Sequence, residues 1–227
     1  MLRSVQYGDS SGAGDLIEFT YNRQGQVTSR KDQLGTVHQY LFDGLGRTIQ
    51  DVVAAMGDGV DGAVQRIDTA YEVRGLVSGL TSFNAPSGGT VVNDVRLDYN
   101  DFRQLVSDYQ SHTGQVNPSS TLKVQYAYAD GSANVVRPVS MTYPNGRVIG
   151  FDYGTSGGMN DHLNRLQTIR DNGSALATYQ YLGISKVVRK DLAQPSVRFD
   201  LWGGTPGSYT GLDRFLRTIE DLWQKIS

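Results

Sequence analysis

Several residues in this sequence have types and spacings that could do chemistry. Gly57-Asp58-Gly59-Val60-Asp61-Gly62 has the glycine spacing of a dinucleotide-binding loop. Such a loop works when a strand precedes it and a helix follows, because the helix N-terminus holds the pyrophosphate. Here residues 63–71 read as a strand, and Asp58 and Asp61 would repel a pyrophosphate. The same carboxylates suggest calcium, but a calcium loop needs about six to eight oxygens in a spacing that is missing here, so a solvated turn is the better reading. His38, His112 and His162 are far apart and form no HExxH or other paired metal spacing. No GxSxG elbow exists to present a serine nucleophile. Asp152, Asp161 and Asp171 could be glycosidase carboxylates only in a particular geometry; as sequence they read as turn residues. The tyrosines could stack on sugars, and Asn172-Gly173-Ser174 fits a glycosylation sequon that a turn explains equally well. The expectation is therefore no catalytic residue, no cofactor, no metal and no enzymatic activity.

Composition points the same way. The chain has 227 residues, with 21 Lys+Arg against 23 Asp+Glu and a net charge of -2. That balance lacks the basic excess of a nucleic-acid binder. It has no cysteine, which excludes disulfides, thiolate metal sites and cysteine nucleophiles. The longest apolar runs, such as residues 52–56, are too short to span a membrane, and the first residues have no apolar core of signal-peptide length. Glycine is abundant at 27 residues, and tyrosine at 13 outnumbers Phe at 7 and Trp at 2. Glycine suits turns and tyrosine suits half-wet pleated surfaces, so the composition indicates an all-β chain. Hydrophobic residues make up only 38%, which fits a thin curved wall better than a ball.

The positioning elements come from a repeat. An aromatic residue followed four positions later by glycine occurs as Tyr21…Gly25, Phe42…Gly46, Tyr71…Gly75, Tyr153…Gly157 and Tyr179…Gly183. A degenerate copy begins at Tyr99 with Arg103 in the glycine place, and a shortened copy is Tyr143-Pro144-Asn145-Gly146. Repeat starts at 21, 42, 71, 99, 126, 153 and 179 give a loose period. Residues 42–51 also align with residues 212–221, with Leu216 where a turn glycine is expected. After the aromatic, Asn22, Asp43 or Asn100 can accept a hydrogen bond from backbone two residues on and start a turn. The later glycine takes a positive φ, a requirement expected of Gly25 and not of Gly59.

Strand-like runs flank these turns at residues 16–21, 26–30, 37–42, 64–71, 91–99, 122–128, 147–153, 165–170, 175–181 and 187–191, most alternating polar with apolar. Connections at 56–62, 84–89, 111–120, 154–162 and 202–210 are rich in Gly, Pro, Ser, Asn and Asp. The expected organisation is an irregular lead-in over 1–15, an array of antiparallel β-hairpins over 16–217, and a tail over 218–227. That tail is either a short helix or a final strand with a frayed end.

Tyr21-Asn22-Arg23-Gln24-Gly25-Gln26-Val27-Thr28, Phe42-Asp43-Gly44-Leu45-Gly46-Arg47, Tyr143-Pro144-Asn145-Gly146-Arg147-Val148, Leu163-Asn164-Arg165-Leu166 and Gly211-Leu212-Asp213-Arg214-Phe215 resemble the YD repeats of the RHS family, bacterial relatives of the teneurin YD shell. The resemblance covers about residues 16–217. It implies an extended curved β-sheet, part of a hollow shell that encloses a C-terminal toxin or, in teneurins, supports adhesion at the cell surface. The RHS core with its DPxG-type element has no counterpart here, nor does a toxin-like domain, so cleavage activity is not carried over.

The expected function is a non-enzymatic shell segment for encapsulation or surface contact. Its partners would be adjoining repeats of a larger parent chain and an enclosed toxin or a surface protein or glycan, with no nucleic acid and no membrane span. Alternatives are a carbohydrate- or protein-binding β module and a hydrolase with a loop-borne site. The resemblance alone suggests export or a cell-surface location. An open array also exposes strand edges at both ends. Expressed alone, the chain should self-associate or dissolve poorly; a monodisperse, cooperatively unfolding monomer in sedimentation and denaturation would contradict this.

Overall fold

The computed structural model describes residues 1–6, 16–130 and 136–226. The chain divides into two compact units, residues 1–123 and 124–227. Both are built from antiparallel strands, with one short helix among the described residues.

Unit 1 contains β1 (Ser4–Gln6), β2 (Leu16–Tyr21), β3 (Val27–Lys31), β4 (Val37–Phe42), β5 (Thr48–Ala55), β6 (Arg66–Tyr71), β7 (Val77–Phe83), β8 (Val91–Tyr99) and β9 (Leu105–Ser111). Each strand pairs with the next in sequence, so the unit is a meander. Turns at 22–26, 43–47, 72–76 and 100–104 join strands at one end of the ladder. The opposite end carries connections at 32–36, 56–65 and 84–90. The loose period has its cause here: the first set keeps a five-residue form, whereas the second set and its flanking strands vary in length.

Most strand residues are half-buried, as expected for a sheet that keeps much of both faces in contact with water. Arg66 is an exception at 8% exposed. Its guanidinium pairs with Asp68 at 2.9 Å, lies 3.9 Å from the Phe83 ring centroid, and donates to the carbonyls of Pro86 and Gly88. One arginine thus ties the 84–90 connection to the strands beneath it.

Unit 2 contains β10 (Lys123–Tyr128), β11 (Pro138–Thr142), β12 (Val148–Asp152), α1 (Met159–His162), β13 (Thr168–Asp171), β14 (Ser174–Leu182), β15 (Lys186–Leu192), β16 (Val197–Asp200) and β17 (Leu222–Lys225). It is again a sequential antiparallel meander. Between β16 and β17 the chain folds back over the sheet. There Val188, Leu201, Trp202 and Leu212 form a buried cluster, flanked by Leu182, Phe199 and Tyr209. Close packing fixes this segment: a Cβ on Gly211 would lie 3.0 Å from Leu201 Cα.

At the C-terminal end the structure takes the strand alternative, and at the N-terminal end it departs from the expected irregular lead-in. The tail over 218–227 holds a strand in its described part. Leu222–Lys225 forms a ladder with Val197–Asp200, and Trp223 meets Phe199 with ring centroids 5.2 Å apart, a cross-strand aromatic pair that a lone helix would forgo. In the lead-in, Ser4–Gln6 pairs with Leu16–Glu18, so it is not wholly irregular; residues 7–15 lie outside the described residues.

The turn ends also show what the glycine does. Gly46 has φ +79° at the fourth turn position, and the two copies without glycine adopt the same left-handed conformation, Arg103 at φ 65° and Leu216 at φ 63°. Hydrogen bonding there overrides a penalty of about 1–2 kcal/mol for a side chain. Gly59, expected to be unconstrained, has φ +72°, so the contrast drawn between it and Gly25 at φ +84° disappears. Replacing Leu216 or Arg103 with glycine should raise thermal stability, by up to about 1 kcal/mol. Gly46→Ala should lower it, while Gly44→Ala, in open space without a positive φ, should change little. Thermal melts of the four variants check this ordering.

Candidate functional site

The repeated structural site is a five-residue turn, preceded at Tyr21, Tyr71 and Tyr99 by a tyrosine lock. In the turn, the N–H of position 1 donates to the carbonyl of position 5, and the N–H of position 4 donates to the carbonyl of position 1. This holds for Asn22–Gln26, Asp43–Arg47, Glu72–Leu76, Asn100–Gln104, Tyr143–Arg147 and Asp213–Arg217. It is the three-residue hairpin loop, a type I turn followed by a left-handed residue.

The first side chain finishes the turn. Asn22 Oδ1 accepts from the backbone N–H groups of Gln24 and Gln26 at 2.9 and 3.0 Å. Asp43 does the same for Leu45 and Arg47, Asn100 for Phe102 and Gln104, and Asp213 for Phe215 and Arg217. Its remaining polar atom selects the fifth residue. Asn22 pairs with Gln26 and Asn100 with Gln104, each at 2.7 Å. Asp43 instead pairs with Arg47 at 2.6 Å and Asp213 with Arg217 at 2.6 Å. Amide is matched with amide and carboxylate with guanidinium. Glu72 is too long for this arrangement and pairs with Arg74 at 2.7 Å.

The lock lies beside the turn. Tyr71 OH donates to Thr48 O at 2.9 Å, Tyr99 OH to Val77 O at 2.8 Å, Tyr153 OH to Pro138 O at 3.1 Å, and Tyr181 OH to Leu166 O at 2.6 Å. Tyr21 OH donates likewise to Leu2 O. In three of these the residue preceding the acceptor is an arginine over the ring: Arg47 at 4.2 Å from the Tyr71 centroid, Arg137 at 4.6 Å from Tyr153, and Arg165 at 4.8 Å from Tyr181. The phenol fixes the strand position while the cation covers the ring face. Burial raises the phenol pKa of Tyr99, Tyr153 and Tyr181.

The structure places the expected repeat residues as follows. Tyr21, Phe42, Tyr71 and Tyr99 each follow a register shift at the end of a strand, and Gly25, Gly46 and Gly75 follow in the turn. In unit 2 the phase differs. Tyr179 lies within β14 opposite Lys190, and Tyr181 takes the lock position after the register shift. Tyr128, rather than residue 126, follows the corresponding shift in β10. Tyr143 stands at position 1 of its turn, where Asp, Asn or Glu stands elsewhere, and Gly146 at position 4 has φ +82°. Tyr153 is a lock residue, but Gly157 is not its hairpin glycine. It precedes α1, and its N–H donates to Asp161 Oδ2. Gly183 lies in the turn between β14 and β15, where its carbonyl accepts from Arg165.

Sequence reading missed the Asp32–Thr36 turn, because no aromatic precedes it; the Asp-x-x-Gly spacing alone could have found it. It also missed the arginine of each lock, since Arg47, Arg137 and Arg165 lie 16–24 positions before the tyrosine they cover.

The residues considered for catalysis are dispersed or already paired. His38 Nδ1 and Asp51 Oδ1 are 2.7 Å apart. Asp152 pairs with Arg170, Asp161 with Arg137 and Asp171 with Arg147. Among the described residues no group of three His, Asp or Glu side chains could hold a metal. The 57–62 loop is followed by β6 rather than a helix, and Gly57 is wedged so that a Cβ would lie 2.4 Å from Leu34 O. No helix is long and apolar enough to cross a membrane among the described residues.

Together these features define an all-β antiparallel hairpin-repeat protein. No protein-family model and no curated protein matches the sequence. Among solved structures, the chain is similar to TcdB2-TccC3 without its hypervariable C-terminal region, at 10% identity and TM-score 0.49 over 92% of this chain and 11% of that one. It is also similar to TcdB2-TccC3-TEV (12% identity, TM-score 0.44, 93% of this chain and 11% of that one) and to TcdB2-TccC3-Cdc42 (13%, 0.42, 90% and 11%). The chain thus spans about 11% of the length of these structures.

Two predictions follow from the pairings. Asp213→Asn and Arg217→Gln should each lower the melting temperature, whereas the double variant, which recreates the Asn–Gln pair, should recover most of the loss; purely additive losses would contradict the matching rule. The second concerns acid. Burial tends to raise the Asp191 pKa, but hydrogen bonds from Arg198 and Arg189 outweigh it and bring the value down to about 2. Hydrogen bonds also lower Asp43, Asp152, Asp171 and Asp213, in Asp43 chiefly from the Arg47 backbone and in Asp171 from the Arg147 side chain. A lowered folded pKa gives stability that is present above the unfolded value near 4 and lost as pH falls through the folded value. Melting temperature should hold down to about pH 4 and then fall towards pH 2, with a shallower fall in Asp191→Asn.

Proposed function

We propose that this chain is a non-enzymatic wall segment of an RHS-type shell, serving to enclose cargo or to present a surface. The observation that carries this reading is where the polar groups go. Turn carboxylates and amides, lock tyrosines and most arginines bind each other or the backbone within the repeats, rather than converging on a shared cleft. Such an arrangement holds strands in place and leaves little free to act on a substrate. The YD-like sequence of the turns supports the same reading.

A second reading, a carbohydrate- or protein-binding β module, is favoured by one observation. Phe19, Tyr40 and Phe42 line a shallow groove on unit 1, an aromatic row of the kind such a module would use.

The wall reading is tested with the purified chain and with the longest translated product that carries it. The chain should turn over no ester, peptide or glycoside substrate. In the longer product, the segment beyond the wall should resist protease until Tyr71→Ala and Tyr181→Ala open the locks. Turnover abolished by substituting a paired aspartate, or cleavage indifferent to the lock substitutions, would overturn it.

A further inference from the structure

The groove on unit 1 sets aromatic side chains beside a cation that the surrounding hydrogen bonds leave unused. Phe19 on β2 stands opposite Arg30 on β3, and Arg30 stands opposite His38 on β4. Tyr40 continues that face of β4, and Phe42 closes the groove beside Val27. His38 stacks on Tyr40 with centroids 6.4 Å apart and planes at 19°.

The groups on its rim that could recognise sugar hydroxyls are already engaged. Gln26 accepts from Asn22 through Oε1 and donates to Gly46 O through Nε2, at 2.7 Å in each case. Asp51 is held by His38, and the Thr48 carbonyl by Tyr71. The groups left over are three aromatic side chains and the Arg30 guanidinium. Arg30 is exposed, acts electrostatically on the Tyr40 phenol, and among the described residues makes neither an ion pair nor a side-chain hydrogen bond. By contrast, Arg47, Arg66, Arg74, Arg137, Arg189 and Arg198 are all paired with carboxylates.

We propose that this groove docks an extended peptide segment that carries apolar side chains and a carboxylate, with the carboxylate on Arg30. Charge complementarity selects this occupant. A guanidinium binds a carboxylate through two parallel hydrogen bonds, and the aromatic side chains accept aliphatic or aromatic anchors on either side. A neutral saccharide would find only the Tyr40 hydroxyl and Arg30 as polar partners and would leave the guanidinium charge unmatched, and a basic peptide would meet Arg30 as a like charge. The inference rests on the second reading, to which it gives an occupant, and is independent of the wall reading.

The full chain is titrated with three probes: an acetylated peptide of alternating leucine and aspartate, the same peptide with lysine for aspartate, and maltohexaose. Amide chemical-shift mapping should place the acidic peptide on β2–β5 and show no saturable binding of the other two. Arg30→Glu should weaken the acidic peptide by about tenfold or more. Arg23→Glu, a charge reversal on the exposed 22–26 turn, should leave it unchanged, and unaltered melting temperatures show that both variants fold. Equal binding of the lysine peptide, saturable binding of maltohexaose, shifts lying outside β2–β5, or an Arg30→Glu variant that binds like the parent would each overturn the proposal.

Discussion

A single acceptor oxygen at the head of four of the hairpin turns supports much of this structure. In Asn22, Asp43, Asn100 and Asp213 it takes two backbone N–H groups that would otherwise face only water at the strand ends. Closing the turn this way fixes the register of the two strands it joins, and register decides which side chains share a face. The strength of the arrangement shows at Arg103 and Leu216, whose backbones are held left-handed without glycine. Local hydrogen bonding thus sets the conformation, and glycine only removes the penalty.

Lateral cohesion comes from the tyrosine locks rather than from a deep interior. Fully buried apolar side chains are few among the described residues, and several gather under the fold-back in unit 2. Elsewhere a phenol bonds to a carbonyl on another strand while an arginine shields the ring. These contacts suit a surface that stays wet, since each lock phenol finds an acceptor and each ring loses only part of its hydration. The scarcity of hydrophobic residues in the sequence and the abundance of tyrosine have this common origin.

Much of this was legible in the sequence because the turn is a local device. The positions of Asn22, Asp43 and Asn100, the glycines after them and the polar–apolar alternation of β2, β4 and β8 all follow from interactions within a few residues. What could not be read depends on partners distant along the chain. Tyr179 and Tyr181 both precede Gly183 closely, and only the register shift in β14 decides which of them reaches Leu166. The final strand was obscured for the same reason: Leu222–Lys225 has no strong pattern of its own and becomes a strand through its ladder with β16 and the contact of Trp223 with Phe199. In the groove on unit 1 the aromatics were visible in the sequence. That Gln26 and Asp51 are already committed while Arg30 is not emerged only from the pairing across strands.

The connections in unit 1 differ by end, with five-residue turns on one side and the 32–36, 56–65 and 84–90 segments on the other. Evolution, or an engineer, therefore has a margin on which to write. Foreign loops spliced into the variable side would leave the ladder's alignment undisturbed, so lineages of such proteins should diversify there first, as a comb lengthens its teeth while the spine stays straight.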